Sequence, residues 1–194
     1  MAQTGIFLDR DGTINYEIEY LRSPRQLRLI PRTADAIHEL NQLGLKVFIL
    51  TNQSGIARGI FTEDDLNAIH TRLAEMLGKF NARVDRIYYC PHHPEGKIER
   101  YRKECECRKP KIGMFTKAAE EYDINFSNSY VIGDKKIDME AGNNCGALTI
   151  LVLTGYGKTE LENCRASNTK IDYVAEDLPA AVQFIKQNTS VQIS

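Results

Sequence analysis

Short apolar runs alternate with amphipathic stretches along most of this chain. Ile6-Phe7-Leu8 is the first run and stops at Asp9; Leu45–Leu50, Val84–Tyr89, Tyr130–Ile132 and Leu148–Leu153 are four more. Runs of this length, rich in β-branched and aromatic residues, predict strands buried on both faces. Between them lie stripes at helical spacing. Ala36, Ile37, Leu40 and Leu43 predict one helix. Leu66, Ile69, Leu73, Met76, Leu77 and Phe80 predict a longer one, with Thr62 as N-cap and Asp65 three residues on. Met114–Tyr122, Lys135–Asn143 and Asp177–Lys186 predict three others, and Asn188 to Ser194 reads as a loose tail. Strands alternating with helices predict an α/β fold: a parallel sheet flanked by helices and joined by right-handed crossovers.

The polar residues that break this pattern fall in one place. Asp9 and Asp11 follow the first run, Thr51 and Asn52 the second, Gly133 and Asp134 the fourth. All are carboxyl ends of predicted strands, the edge where open α/β sheets bind ligands. Each residue alone is explained as well by a turn or a helix cap. Three carboxylates converging on one edge weaken that explanation considerably.

Length and composition narrow the class. With 194 residues, the chain fits one domain spanning 1–194. It is 42% hydrophobic and 26% charged, with a net charge of -1, so no whole-chain field draws it to nucleic acid or a membrane. No apolar run approaches the roughly 20 residues that span a bilayer. The N-terminus lacks a basic region followed by a long apolar run, which predicts no signal peptide and a cytoplasmic protein. Five cysteines in a reducing compartment then suggest metal ligands or free thiols rather than disulfides.

The sharpest motif is Asp9-Arg10-Asp11-Gly12-Thr13. At a strand end, residues i and i+2 point to the same side, so both carboxylates can face one substrate. Gly12 lets the chain turn and bring backbone N–H groups toward an anion. The motif resembles that of the haloacid dehalogenase superfamily, specifically its phosphatases, and the resemblance covers essentially the whole chain. It implies a Rossmann-like fold and Mg²⁺-dependent hydrolysis of a phosphate monoester. Asp9 would be the nucleophile that carries the phosphoryl group, and Asp11 the general acid and base. Thr51 would bind phosphoryl oxygens, and Lys109, from Arg108-Lys109-Pro110-Lys111, would stabilise them. Asp9, the main-chain carbonyl of Asp11, and Asp134 would hold Mg²⁺, a hard cation that takes oxygen ligands. Asp138 is open between a ligand through water, a brace for that site and an ordinary carboxylate in a first helical turn.

A second constellation is Cys90-Pro91-His92-His93-Pro94 followed by Cys105-Glu106-Cys107. Two close pairs of soft or borderline ligands suit a tetrahedral structural Zn²⁺. His93 competes with His92 for the fourth position, and Cys145 and Cys164 stand apart as free thiols. The loop of about residues 90–107 follows the third strand. Together with Thr51-Asn52-Gln53-Ser54-Gly55 and Cys107-Arg108-Lys109-Pro110 it looks like the D-glycero-D-manno-heptose 1,7-bisphosphate phosphatases, whose close relative is the histidinol-phosphate phosphatase domain. That resemblance implies Cys90, His92, Cys105 and Cys107 as zinc ligands. It also implies that Thr51, Asn52, Gln53, Ser54, Arg108, Lys109 and Lys135 grip a sugar bisphosphate. Glu17 to Tyr20 matches the family's other substrate loop at Tyr20 but not at Ile18 and Glu19. Seven basic and three acidic residues lie between Lys97 and Lys111, a surplus that suits a substrate with two phosphates.

Some absences complete the expectation. Ile14 to Pro31 is too short for a cap domain, and the zinc loop with one helix fills Cys90 to Ser127, so the fold is expected to be capless. Gly155-Tyr156-Gly157-Lys158-Thr159 resembles the end of a P-loop, but Val152 stands where glycine is required, which excludes nucleoside triphosphate there. The rival from another class is a zinc module that binds nucleic acid on an inactive scaffold. The intact Asp9, Asp11, Thr51 and Asp134 oppose it, as does a loop whose only aromatic read as exposed is Tyr101. A monomer acting on a small sugar bisphosphate, without nucleic-acid or membrane partners, is the expected working unit.

Overall fold

The computed structural model describes residues 2–191, with side chains to residue 188. The strands are β1 (Gly5–Leu8), β2 (Lys46–Asn52), β3 (Arg86–Cys90), β4 (Tyr130–Gly133), β5 (Leu148–Val152) and β6 (Tyr173–Ala175). They form one parallel sheet in the order β3-β2-β1-β4-β5-β6. The helices are α1 (Thr33–Gln42), α2 (Glu63–Gly78), α3 (Gly113–Tyr122), α4 (Lys136–Cys145), α5 (Gly157–Ala166) and α6 (Leu178–Val191).

Alternation along the central strands decides what each face packs against. Ile6 and Leu8 of β1 join Ile49, Ile37, Leu40, Leu73 and Val182 in a core under α1, α2 and α6. Phe7 points the other way and joins Phe48, Leu50, Phe115 and Val131 under α3 and α4. Both faces are covered, so β1 and β4 are buried throughout and read as continuous apolar runs. The chain winds outward from β1 to β3, then returns to place β4 on β1's other side. The order therefore reverses between β1 and β4, and the crevice at that switch point is where such sheets bind ligands.

Thr62 and Asp65 cap α2 as expected. Thr62 Oγ1 accepts the Asp65 N–H at 3.1 Å, and Asp65 Oδ2 accepts the Thr62 N–H at 2.8 Å. Other expectations need correction. α2 stops at Gly78, so Phe80 lies outside its stripe and is half exposed. Leu43 caps α1 and is exposed rather than buried. β3 begins at Arg86 because the Asp85 carboxylate takes the Val47 N–H and interrupts the ladder. The expected tail from Asn188 is helical to Val191, since nothing there is a glycine or proline to stop α6; residues 192–194 lie outside the described residues.

β6 and α5 went unpredicted. Tyr173 and Val174 sit on an exposed sheet edge, and α5 buries only Gly157 and Cys164, so neither element carries an apolar period. Between β1 and α1 there is only a loop with one 3-10 turn (Pro24–Gln26), and no cap domain. No helix among the described residues is long and apolar enough to cross a membrane.

Candidate active site and a Cys-His cluster

The β1–β4 crevice gathers charge from three parts of the chain. Asp9 follows β1 directly and donates its N–H to the Ile132 carbonyl of β4 at 2.9 Å. Asp134 follows β4, and Asp138 lies one turn into α4. Asp9, Asp134 and Asp138 are all buried, and their carboxylate oxygens lie within 4.8 Å of one another. Lys109, buried as well, enters from the loop before α3. Its Nζ donates to Asp9 Oδ1 at 2.8 Å and to the Leu50 carbonyl of β2 at 2.6 Å, and pairs with Asp138 Oδ1 at 2.6 Å. Burial alone would lower the ammonium's proton affinity, but the charges of Asp138 and Asp9 raise it, so the lysine is cationic.

One ammonium does not balance three buried carboxylates. Asp134 shows the shortfall. Its Oδ2 accepts the Tyr156 N–H at 2.9 Å, while Oδ1 is buried without a partner. Burial, and then the Asp9 charge, pushes its pKa up from 3.8 to about 8. Asp138 is pushed up to about 6 by burial, against the pull of Lys109. An orphaned buried oxygen beside two further carboxylates is a hard-cation environment, so the residues fit Mg²⁺. The backbone is shaped around this oxygen pair. Gly12 (φ 82) and Gly155 (φ 53) both lie against Asp134 Oδ2, and a Cβ at either would overlap it. Gly155, which resembled the end of a phosphate loop, thus packs on a carboxylate instead.

The Asp11 side chain stands outside this carboxylate group. Its Oδ1 accepts Asn15 Nδ2 at 2.9 Å, and its Oδ2 accepts Gln53 Nε2 at 2.9 Å and Arg10 Nη2 at 2.7 Å. Burial would raise its pKa, yet the Arg10 guanidinium and these hydrogen bonds hold the carboxyl below the usual carboxylate range. Gln53 Nε2 also donates to Thr51 Oγ1 at 2.8 Å, tying Thr51 to Asp11.

Asp11 opens onto a cleft of about 280 Å³, also lined by Glu17, Tyr20, Ser54, Arg108, Lys135 and Tyr156. Lys135 Nζ pairs with Glu17 Oε2 at 2.8 Å and lies 4.9 Å from the centre of the Tyr156 ring. Burial disfavours its charge, but the carboxylates of Asp9, Asp134 and Glu17 raise its pKa. Asn52 faces the cleft too, although its side chain is committed elsewhere. Its Oδ1 accepts the Lys109 N–H and its Nδ2 donates to the Lys109 carbonyl, both at 3.1 Å, so it clasps the lysine's backbone. Arg10, Asn15 and His70 were not anticipated. Their role is spatial, and only Arg10's place inside the motif hinted at it.

Beyond the end of β3, Cys90, His92, Cys105 and Cys107 converge. The sulfur–sulfur separations are 3.4, 3.2 and 3.2 Å, and His92 Nδ1 lies 3.4 Å from Cys107 Sγ. Zinc–sulfur arms of roughly 2.3 Å set tetrahedral S–S edges of about 3.8 Å, so the sulfurs stand somewhat closer than a bound ion would hold them, and it is the chemistry of the converging set, three thiols and an imidazole, that fits Zn²⁺. His93 is not among them: its Nε2 faces Arg58 Nη2 at 3.2 Å, and its Nδ1 accepts the Glu95 N–H. Arg108 Nη1 donates to the His92 carbonyl at 3.2 Å. Tyr101 is buried rather than exposed, with its hydroxyl on the Glu63 carboxylate, so the loop offers no stacking platform there. Cys145 and Cys164 are free thiols away from the cluster.

Residues 106–181 match the family model described as HAD-hydrolase-like. The chain is 46% identical over 140 residues to the D-glycero-beta-D-manno-heptose-1,7-bisphosphate 7-phosphatase of Rhodopseudomonas palustris, covering 72% of this chain and 78% of that one. It is 40% identical over 189 residues to the D-glycero-D-manno-heptose-1,7-bisphosphate 7-phosphatase of Thermosynechococcus vestitus, covering 95% and 96% of the two. Among solved structures it is similar to the D,D-heptose 1,7-bisphosphate phosphatase of B. bronchiseptica complexed with magnesium and phosphate. That match has a TM-score of 0.86 at 34% identity and covers 96% of this chain and 99% of that one.

Proposed function

We infer, since the chain belongs to the D-glycero-D-manno-heptose-1,7-bisphosphate 7-phosphatase family of HAD-type hydrolases, that it removes the 7-phosphate of a heptose 1,7-bisphosphate and leaves the 1-phosphate. The observation that carries the mechanism is Lys109 Nζ bridging Asp9 and Asp138 beside the unpartnered Asp134 Oδ1. In this reading Asp9 is the nucleophile. A carboxylate oxygen of Asp9 attacks phosphorus as the bond to the C7 oxygen breaks, and the phosphoryl group moves to Asp9. Lys109 and Thr51 neutralise and orient its oxygens. Asp11 gives its proton to the departing alkoxide. It then takes a proton from water, whose oxygen attacks the aspartyl phosphate, and the products are inorganic phosphate and free Asp9.

Asp11 rests as a carboxylate, so it must gain its proton when substrate arrives. A phosphate dianion placed beside it supplies the like charge that favours protonation. Asp9, Asp134 and the main-chain carbonyl of Asp11 would hold Mg²⁺, with Asp138 as a brace. When bound, the ion cancels the repulsion between nucleophile and phosphate and polarises the phosphoryl oxygens. Arg108, Lys135, Gln53, Ser54 and Tyr20 face the cleft and would grip the remainder of the substrate, while Asn52 acts through Lys109. Cys90, His92, Cys105 and Cys107 would hold a structural Zn²⁺ that fixes the loop carrying Arg108 and Lys109. Residues 1–194 would work as one domain, a monomer in the cytoplasm, on a small sugar bisphosphate rather than on nucleic acid or a membrane.

The test is phosphate release from D-glycero-D-manno-heptose 1,7-bisphosphate with Mg²⁺ and with EDTA, the product read by ³¹P NMR. We expect Mg²⁺-dependent loss of the C7 signal with the C1 signal retained. A higher kcat/KM for histidinol phosphate would move the assignment to that substrate, and loss of the C1 phosphate would overturn the regiochemistry.

A further inference from the structure

Arg10 is the largest fully buried side chain among the described residues, and a buried guanidinium is costly unless it is paired and hydrogen-bonded. Its hydrogen-bond partners are two. Nε and Nη2 reach Asp11 Oδ1 at 3.2 and 3.0 Å, and Nη2 reaches Oδ2 at 2.7 Å. On the far side Nη1 meets His70 Nε2 at 3.2 Å. A guanidinium has only donors, so the imidazole is the acceptor and carries its proton on Nδ1. Burial, then the Arg10 charge, pushes the His70 pKa down to about 3, consistent with a neutral ring. His70 itself is fixed by α2, whose neighbouring Ile69 and Leu73 are buried in the core.

The main chain is organised by the same residue. The Arg10 carbonyl accepts the N–H groups of Thr13, Ile14 and Asn15 at 3.3, 2.8 and 3.2 Å, which closes the turn after β1. Arg10 therefore sets where Asp11 begins, through its backbone, and where its carboxylate points, through its side chain. A core ion pair would satisfy both charges anywhere in the interior. Here the acidic partner lines the substrate cleft, and the pair has a third member on a separate helix.

We propose that Arg10 and His70 are a positioning pair for Asp11: the α2 imidazole orients the buried guanidinium, and the guanidinium aims the carboxyl group at the leaving oxygen. The inference rests on Asp11 being the acid and base of the reaction. Proton transfer to a leaving group is demanding in geometry, and misplacement by about 1 Å can cost on the order of 10²-fold. His70 touches neither substrate nor metal in this arrangement, so its effect is confined to steps that need Asp11.

That confinement is what the experiment reads. kcat and KM are measured for His70→Ala, His70→Gln, Asp11→Asn and the native enzyme. The substrates are heptose 1,7-bisphosphate, with an alkoxide leaving group, and p-nitrophenyl phosphate, whose phenolate leaves without a proton. Circular dichroism melts establish that each variant is folded. His70→Ala should lower kcat/KM for the heptose substrate roughly 10- to 100-fold, while kcat/KM for p-nitrophenyl phosphate changes by less than about twofold. This ratio ends at phosphoryl transfer and so excludes the water step both substrates share. His70→Gln offers an amide oxygen to Arg10 and should restore most of the loss. Equal losses of kcat/KM on both substrates, no loss on either, or failure of His70→Gln to restore kcat/KM would overturn the pair. If Asp11→Asn shows the leaving-group split and His70→Ala does not, the pair alone falls. If Asp11→Asn shows no split, the assignment of Asp11 falls and the pair with it. If the native enzyme ignores heptose bisphosphate, the same comparison is made with the alkyl phosphate it hydrolyses fastest.

Discussion

Replacing Asp134 by asparagine should destroy phosphatase activity and stabilise the metal-free protein. The side chain is fully buried, and Oδ1 has no partner while Asp9 and Asp138 stand beside it. Its folded-state pKa is raised from 3.8 to about 8. Between those two values the unfolded chain has an ionised Asp134 and the folded chain a protonated one. Folding then takes up a proton, and stability falls as pH rises, by about 1.4 kcal/mol per unit. At pH 7 the accumulated cost is about 4 kcal/mol, from roughly three pH units above the unfolded value. Asparagine carries no such cost. Its oxygen can accept the Tyr156 N–H, and its amide N–H groups face the neighbouring carboxylates. Urea unfolding in EDTA checks this. Asp134→Asn should be more stable than the native protein at pH 7, and the gap should narrow by about 3 kcal/mol on going to pH 5. Added Mg²⁺ should then close the gap at pH 7 by stabilising the native protein more than the variant. A variant less stable than the native protein in EDTA at pH 7, or a gap independent of pH, would refute the reasoning.

Asp9→Asn should abolish turnover with the circular dichroism spectrum unchanged, because the amide is a very weak nucleophile; measurable steady-state release of phosphate from it would contradict the mechanism. Asp11→Asn should lose roughly 10²–10⁴-fold on the sugar phosphate and much less on p-nitrophenyl phosphate, as read from the two kcat/KM values, which end at phosphoryl transfer. Elemental analysis of protein purified without chelator should find one zinc per chain that EDTA removes more slowly than Mg²⁺. Cys107→Ser should raise KM and lower kcat while keeping most of the helical circular dichroism, since the cluster orders a loop and the sheet has its own core; full activity in demonstrably zinc-free Cys107→Ser would remove the loop from the mechanism.

What could be foreseen from sequence follows from where each signal is stored. Asp9 and Asp134 lie next to buried strands, so an apolar run followed by a carboxylate locates both on one edge. Cys90, His92, Cys105 and Cys107 are short-range pairs of a rare chemical type, and the gap between them is a single loop. Asp138 stayed open because its effect depends on Lys109, distant in sequence, reaching Asp138 Oδ1 at 2.6 Å. Asn52 lines the cleft, but its clasp on a backbone 57 residues away has no local signal. His70 looked like any polar residue on an amphipathic helix, because its partner Arg10 is 60 positions distant. α5 gave no apolar stripe, as only Gly157 and Cys164 are buried along it. Local chemistry and period survive in one dimension; pairings made by the crossovers do not.

The placement of Lys109 explains why a metal-like cluster of thiols belongs next to a phosphatase edge at all. A lysine loses more side-chain freedom than most residues when it is fixed, on the order of 1.5–2 kcal/mol, and burying its charge costs more. Both costs fall at folding if its acceptors are ready-made. Asp9 and the Leu50 carbonyl accept hydrogen bonds from the ammonium, and the Asp138 carboxylate pairs with its charge at 2.6 Å. Lys109 sits in a long connection between β3 and α3, which does not by itself fix the backbone that delivers the side chain. Two constraints from elsewhere do. Asn52 holds the Lys109 N–H and carbonyl, and Cys107, two residues earlier, is tied to Cys90 at the end of β3. The position of the cation relative to Asp9 is thereby referred to β2 and β3, strands of the same sheet whose β1 leads into Asp9. A site built this way reorganises little as phosphoryl charge shifts, which is the condition under which fixed dipoles and charges lower a barrier most.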